Sequence, residues 1–160
     1  MTRILAVALA AVALAAAAPG CQRKAELGGI GPYLLGKTRL VDGEVNFRCE
    51  PSGEVTFCFG GPEVAVGDQP AAVSLYFAGK DKTSPLVEIF LNVRSCKVDA
   101  LDAVLGKLLG PPTESRDKRR FWVLKRMFVA AALRTTGASC ELSFVDPRDE
   151  KRIAELRAGK

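Results

Sequence analysis

The chain has no histidine, and that single absence removes much of the usual catalytic repertoire. Ser-His-Asp and Cys-His sets and His-based metal sites are excluded, together with the commonest general base. The C-x₂-C spacing of zinc sites is missing as well, so no metal and no cofactor is expected from these residues. Charge of one sign is also in short supply. Lys and Arg number 23 against 18 Asp and Glu, a mild excess that gives no argument for nucleic acid but is compatible with weak attraction to anionic lipid. Long apolar runs are absent after residue 18.

The one such run lies at the start, in "MTRILAVALAAVALAAAAPG". Arg3 supplies a positive n-region, and Ile4 to Ala18 is too short for a comfortable span of about 20 residues but suits a secretory leader. Residues 1–20 are therefore read as a signal peptide. The small residues Ala18, Pro19 and Gly20 stand directly before Cys21, and "AAPGC" resembles the lipobox of bacterial lipoproteins. That resemblance implies cleavage before Cys21, a diacylglyceryl group and an N-terminal acyl chain such as palmitate on that cysteine, and a membrane partner reached through them. Several chains anchor firmly, at about 0.8 kcal/mol per buried CH₂. Ordinary secretion with cleavage after a small residue is the rival reading. Gln22, where Asp retains many such proteins at the inner membrane, points to the outer membrane of the cell envelope, facing the periplasm. Residues 21–29 then form a polar tether and residues 30–160 a single domain, a size that buries roughly two thirds of its unfolded surface.

Five cysteines are an odd number for a secreted chain until Cys21 is set aside for lipid. Cys49, Cys58, Cys96 and Cys140 allow three pairings. "FRCEPSGEVTFCF" reads as two strands around a Pro-Ser-Gly turn, which brings Cys49 and Cys58 together, and Cys96 then pairs with Cys140 by elimination. Four thiolates on zinc, the functional alternative, suit neither the spacing nor an oxidising envelope.

The remaining pattern is α+β. Pro32 with Tyr33 to Leu35 predicts a turn or two of helix, or an irregular plug, that packs Leu34 and Leu40 on the core. "AVSLYFAG" and "LVEIFLNVR" alternate as a hairpin, with Val73, Leu75 and Phe77 on the apolar face of one strand and Val87, Ile89, Leu91 and Val93 on that of the other. "VDALDAVLGKLLGPP" carries Leu101, Val104, Leu105 and Leu108 at helical spacing, with Asp99 to cap it and Gly110-Pro111-Pro112 to end it. "TESRDKRR" reads as a charged loop and "FWVLKRMFVAAALRT" as two strands or one bent one. "SCELSFVD" is the last strand, and Asp146 with Pro147 opens a surface helix whose only apolar residues are Ile153 and Leu156. This order predicts an antiparallel sheet with one or two helices packed on one face and two disulfides. A helix, then Leu109-Gly110-Pro111-Pro112-Thr113, then a strand bearing Trp122, resembles the small lipoproteins of the outer-membrane β-barrel assembly machine and β-lactamase-inhibitor-like modules. The resemblance covers about a third of the chain and implies an envelope binding module.

Three motifs bear on chemistry. "GPYLLGKT", Gly31 to Thr38, fits the phosphate-loop pattern G-x-x-x-x-G-K-[ST]. No apolar strand precedes it, however, and Tyr33-Leu34-Leu35 is bulky where phosphate must approach, so no nucleotide is expected. "SRDK", Ser115 to Lys118, fits S-x-x-K without the companion elements of penicillin-recognising enzymes. "KRRFWVLKR" sets Lys118, Arg119, Arg120, Lys125 and Arg126 around Phe121 and Trp122. It reads either as a binding surface anchored by Trp122 for an envelope protein, an acidic glycan or anionic lipid, or as a strand whose cations guard an edge while an aromatic packs inward. No residue is assigned as catalytic. The expectation is a non-enzymatic envelope binding or structural module; the alternative is a carboxylate-dependent envelope hydrolase working through acids such as Glu88, Asp99, Asp102 or Glu141.

Overall fold

The computed structural model describes residues 28–134 and 137–159; the leader, Cys21 and most of the tether lie outside them. Gly28 and Gly29, assigned above to the tether, belong to the fold. Gly28 O accepts from Leu35 N–H at 2.9 Å, and β1 (Gly29–Ile30) pairs with β2 (Tyr33–Leu34) across a turn at Gly31 and Pro32. This small hairpin replaces the helix expected at Pro32. Gly31 takes a φ of 54° at the corner, which glycine adopts without strain, and the pairing of Ile30 with Tyr33 and Gly29 with Leu34 keeps the segment extended. Tyr33 and Leu35 turn into the core and Leu34 faces outward, because strand alternation, not helical spacing, governs the segment. Leu40 packs on the core as expected, on the short helix α1 (Leu40–Gly43).

One sheet then organises the domain. Its strands are β3 (Arg48–Ser52), β4 (Val55–Phe59), β5 (Val64–Val66), β6 (Gln69–Ala78), β7 (Leu86–Val93), β8 (Glu114–Arg116), β9 (Arg119–Val123), β10 (Phe128–Ala132) and β11 (Cys140–Val145). The spatial order is β3-β4-β6-β7-β11-β10-β9-β8, with β5 paired to β6. Every ladder is antiparallel. The helix α2 (Val98–Leu109) connects β7 to β8, and α3 (Glu150–Ala158) follows β11. Leaving the short β5 aside, each half is a helix followed by four strands, α1 before β3, β4, β6 and β7, and α2 before β8 to β11. The last strands of the two halves meet in the middle of the sheet.

The predicted class is what the structure shows: α+β, an antiparallel sheet with two helices, α1 and α2, packed on one face, and two disulfides. Leu40 of α1 and Leu101 and Leu105 of α2 share the main core with Leu75, Ile89, Leu91 and Leu142 of the sheet. Burying each such side chain contributes roughly 1.5–3 kcal/mol. On the reverse face, α3 covers only the β9–β11 side. Its Ile153 and Leu156 pack against Phe121, Phe128, Ala130 and Val145, consistent with its reading as a surface helix.

Several local expectations are corrected. A bulge between β6 and β7 pairs Tyr76 with Glu88 and Phe77 with Leu86, so the extra residue Val87 drops out of the apolar row and Leu86 takes its place, fully buried. The "TESRDKRR" stretch is no loop but a hairpin, β8 to β9, turned at Asp117 with a φ of 49°. Asp tolerates that conformation better than most residues. Neither helix cap falls where predicted. Asp149, three residues after Asp146, caps α3 by accepting from Arg152 N–H at 3.1 Å. The start of α2 is held from a distant strand: the buried Gln69 amide accepts from Lys97 N–H at 2.6 Å, and Asp99 makes no cap.

The disulfides pair Cys49 with Cys58 and Cys96 with Cys140. Cys49 lies directly opposite Cys58 in the β3–β4 ladder, while the second bridge spans 44 residues and joins the end of β7 to the start of β11. On the chain-entropy account the long loop is worth about 4 kcal/mol and the short one about 2.7 kcal/mol. Guanidinium unfolding of the Cys96→Ser/Cys140→Ser pair is therefore expected to show the larger loss of stability of the two double variants. Equal losses, or a larger loss for Cys49→Ser/Cys58→Ser, contradict that assignment of roles.

Candidate binding surfaces

The structure takes the "KRRFWVLKR" segment apart. Arg119, Arg120 and Trp122 lie on β9, Lys118 in the turn before it, and Lys125 and Arg126 in the turn after it. Five strand residues at about 3.3 Å each put those turns roughly 16 Å apart. Trp122 is 1% exposed in the main core, and its indole N–H donates to Gly110 O at 2.9 Å, the partner a buried Trp requires. It is a core residue holding the end of α2 to the sheet, not an anchor for a partner. Phe121 is buried on the opposite face, under α3. Arg119 reaches Leu156 O and Gly159 O at the end of α3, both at 3.3 Å, where a cation complements the helix dipole. Arg120 bonds to Asp117 O at 3.0 Å. Nor is β9 an edge: β8 covers it, and the edge strands are β3, which carries Pro51, and the three-residue β5 and β8.

The loop Gly31 to Thr38 has its backbone amides committed internally. Leu35 N–H goes to Gly28 O, Gly36 N–H to Leu86 O, and those of Lys37 and Thr38 to Leu34 O, while Leu34 N–H donates to the Thr38 hydroxyl at 2.8 Å. A phosphate loop needs those N–H groups converging on an anion; here they dock a small hairpin on β7. Ser115 of the S-x-x-K match lies on the edge strand β8, not at the start of a helix.

Nor do the acids converge. Glu88 is 4% exposed and receives Arg152 Nε at 2.8 Å and Nη2 at 3.2 Å. Glu141 pairs with Arg134 at 2.6 Å. Glu141 sits opposite Asn92, four residues along β7 from Glu88, a separation of roughly 13 Å. The two carboxyls of a glycosidase stand about 5–9.5 Å apart, and the acid among them needs a raised affinity for its proton. Asp99 and Asp102 ride on α2, on the far side of the sheet. Glu88 is a buried structural acid on the sheet. Arg152 comes from α3, 64 residues away, and nothing near Glu88 in the sequence signals it.

Two surfaces do bring functional residue types together. On the reverse face, beyond α3, Phe57 stacks on Phe59 with centroids 5.2 Å apart and tilts against Tyr76 at 4.9 Å. Arg48 lies over Phe59 at 5.7 Å, and all three rings are partly exposed; Phe90, on the same face, lies instead beside Arg152 and Leu156 of α3. Burial, and next to it the charge of Glu88, push the Tyr76 hydroxyl above its ordinary value, so it stays protonated. The second surface is a cleft of about 430 Å³ beside the small hairpin, into which Gly28, Lys37, Arg126, Asp146 and Arg148 all face. Asp146 is 4% exposed and accepts from Arg148 Nε at 2.9 Å and Nη2 at 2.7 Å, a bidentate pair that fixes the guanidinium. Sequence reading missed both surfaces, since each is assembled from strands or loops far apart in the chain. No known protein family, characterised protein or solved structure matches the chain.

The Asp146–Arg148 pair has a pH signature. Hydrogen bonds from the Arg148 side chain hold the Asp146 carboxyl below its ordinary value, against the opposing effect of burial. A carboxyl depressed in the folded state stabilises above its unfolded value, about 3.9, and that contribution is lost as pH falls through the folded value. Urea midpoints of the native chain and Asp146→Asn are expected to differ at pH 7 and to converge below about pH 4. A gap that persists unchanged into acid shows that the pair contributes nothing through its charge.

Proposed function

We propose that the chain is a lipid-anchored cell-envelope protein, held through Cys21 in the outer membrane facing the periplasm, and that it serves as a non-enzymatic binding module for an envelope protein. The observation that carries this reading is the aromatic cluster of Phe57, Phe59 and Tyr76, on the same face of the sheet as α3 but outside the apolar contacts that α3 makes. Rigid aromatic side chains on a flat sheet, with an arginine at the rim, supply contact area at little entropic cost, the composition of interface centres.

The two disulfides support the oxidising compartment. They also use four of the five cysteines, which leaves Cys21 for acylation. Binding fits better than hydrolysis, because Glu88 and Glu141 are each tied to an arginine and stand too far apart to share a scissile bond.

Two measurements on protein taken from intact envelopes test the reading. Its mass is expected to correspond to a chain starting at Cys21 with added acyl groups, and a photoreactive residue in place of Phe59 is expected to crosslink one discrete protein that the same residue at Lys107 on α2 does not. An unprocessed, unacylated chain sinks the anchor, and equal labelling from the two positions sinks the face.

A further inference from the structure

A pocket of about 270 Å³ opens on the reverse face of the sheet, at the C-terminal end of α3. The strand register builds it. One row across the sheet runs Phe121, Ala130, Ser143, Phe90, and the next runs Arg119, Ala132, Glu141, Asn92. Phe121 and Phe90 stand three strand spacings apart, roughly 14 Å. Between them Ala130 and Ser143, with Ala132 in the next row, project too little to fill the space beside Leu156 of α3, and a pit is left.

The polar groups around this pit have spare capacity. Ser143 is 4% exposed, and its hydroxyl has no hydrogen-bond partner among the described residues. No sealed side-chain oxygen or nitrogen among those residues lacks a partner, so this hydroxyl reaches the pocket that Ser143 lines. A buried hydroxyl without a partner carries a desolvation cost that a ligand can recover. Arg134 donates to Glu141 at 2.6 Å, and Arg119 donates to two carbonyl oxygens at the end of α3. A guanidinium has further N–H groups beyond these, so both arginines keep donors for an anion. Arg152, by contrast, is spent on Glu88 and Glu155.

We propose that this pocket binds a small apolar carboxylate, with its apolar body over Ala130 and Ser143 beside Phe90 and its carboxylate toward Arg134 and Arg119. Charge selects the acid. Glu141 is the one carboxylate among the described residues that line the pocket, and it balances Arg134, while the partners of Arg119 are neutral carbonyls. The planar fork of a guanidinium matches a carboxylate in shape as well as charge. Volume selects the body: at about 30 Å³ for a group the size of water, the pocket holds roughly nine non-hydrogen atoms, the size of benzoate. The site requires neither acylation of Cys21 nor a protein on the aromatic cluster, and stands or falls apart from both.

NMR titration of the isotope-labelled full chain with benzoate tests the proposal. The backbone amides of Phe90, Ala130, Ala132 and Ser143 are expected to shift together and saturate, while those of Lys37 and Arg148 in the cleft beside the small hairpin stay in place. Benzamide keeps the shape without the charge and acetate the charge without the body, and each is expected to bind more weakly by about tenfold or more. Glu141→Gln removes the competing carboxylate and releases Arg134, and is expected to tighten benzoate several-fold, whereas Arg134→Gln weakens it. Ala132→Leu, which fills the pit, is expected to abolish binding with the circular dichroism unchanged. The proposal is overturned if benzoate gives no saturable shift, if benzamide binds equally well, if the shifts centre on Lys37 and Arg148, if Glu141→Gln weakens binding or leaves it unchanged, or if folded Ala132→Leu binds as the native chain does.

Discussion

The domain depends on the seam between β7 and β11. Each half of the sheet is a meander whose contacts are mostly local, and the six residue pairs from Glu88–Val145 to Val93–Cys140 are the ladder that joins the halves. Both ends of the seam are fastened. At one, Cys96 is bridged to Cys140 and its N–H donates to Ala138 O. At the other, Asp146 N–H donates to Val87 O, and Glu88 of β7 holds Arg152 of α3, which follows directly from β11. Breaking such a buried pair by removing one partner costs about 3–5 kcal/mol, because the other charge stays buried. Above the seam α2 seals the main core, so the two halves share one hydrophobic interior.

Alternation across this sheet explains how the densest basic segment ends up dispersed. Successive residues of β9 face opposite sides: Arg119 toward α3, Arg120 and Trp122 toward the helix-bearing face, Phe121 under α3. In the linear sequence those residues look like one surface. Once the strand pairs on both sides they become two core contacts, a helix-end contact and two separate turns. Lys37 and Arg148, which join Arg126 in the basic cleft, are far from it in the chain and were invisible to any local reading.

What the sequence made legible was whatever local chemistry decides. The Cys49–Cys58 hairpin, the β6–β7 hairpin, α2 with its Gly110 end at a φ of 83°, and β11 all follow from period, turn residues and punctuation within a dozen positions. What it concealed depends on distant partners: the Gln69 side chain standing in for a helix cap, the bulge that exchanges Val87 for Leu86, Arg152 reaching Glu88, and the docking of the small hairpin through Gly36 N–H on Leu86 O. Pro32 misled for a plain reason. Proline suits the first turn of a helix and the corner of a tight turn alike, and it is the pairing of Ile30 with Tyr33 across the corner that makes this one a turn.

If the seam holds the domain together, its amides are the last to open. Native-state hydrogen exchange measures this directly. The hydrogen-bonded amides of Ile89 to Val93 and of Leu142 to Val145 are expected to exchange only through global unfolding, with the same free energy and the same denaturant slope as the whole domain. Seam amides that exchange at a lower free energy than those between β6 and β4, or between β10 and β9, would show two halves that open apart and would contradict the account.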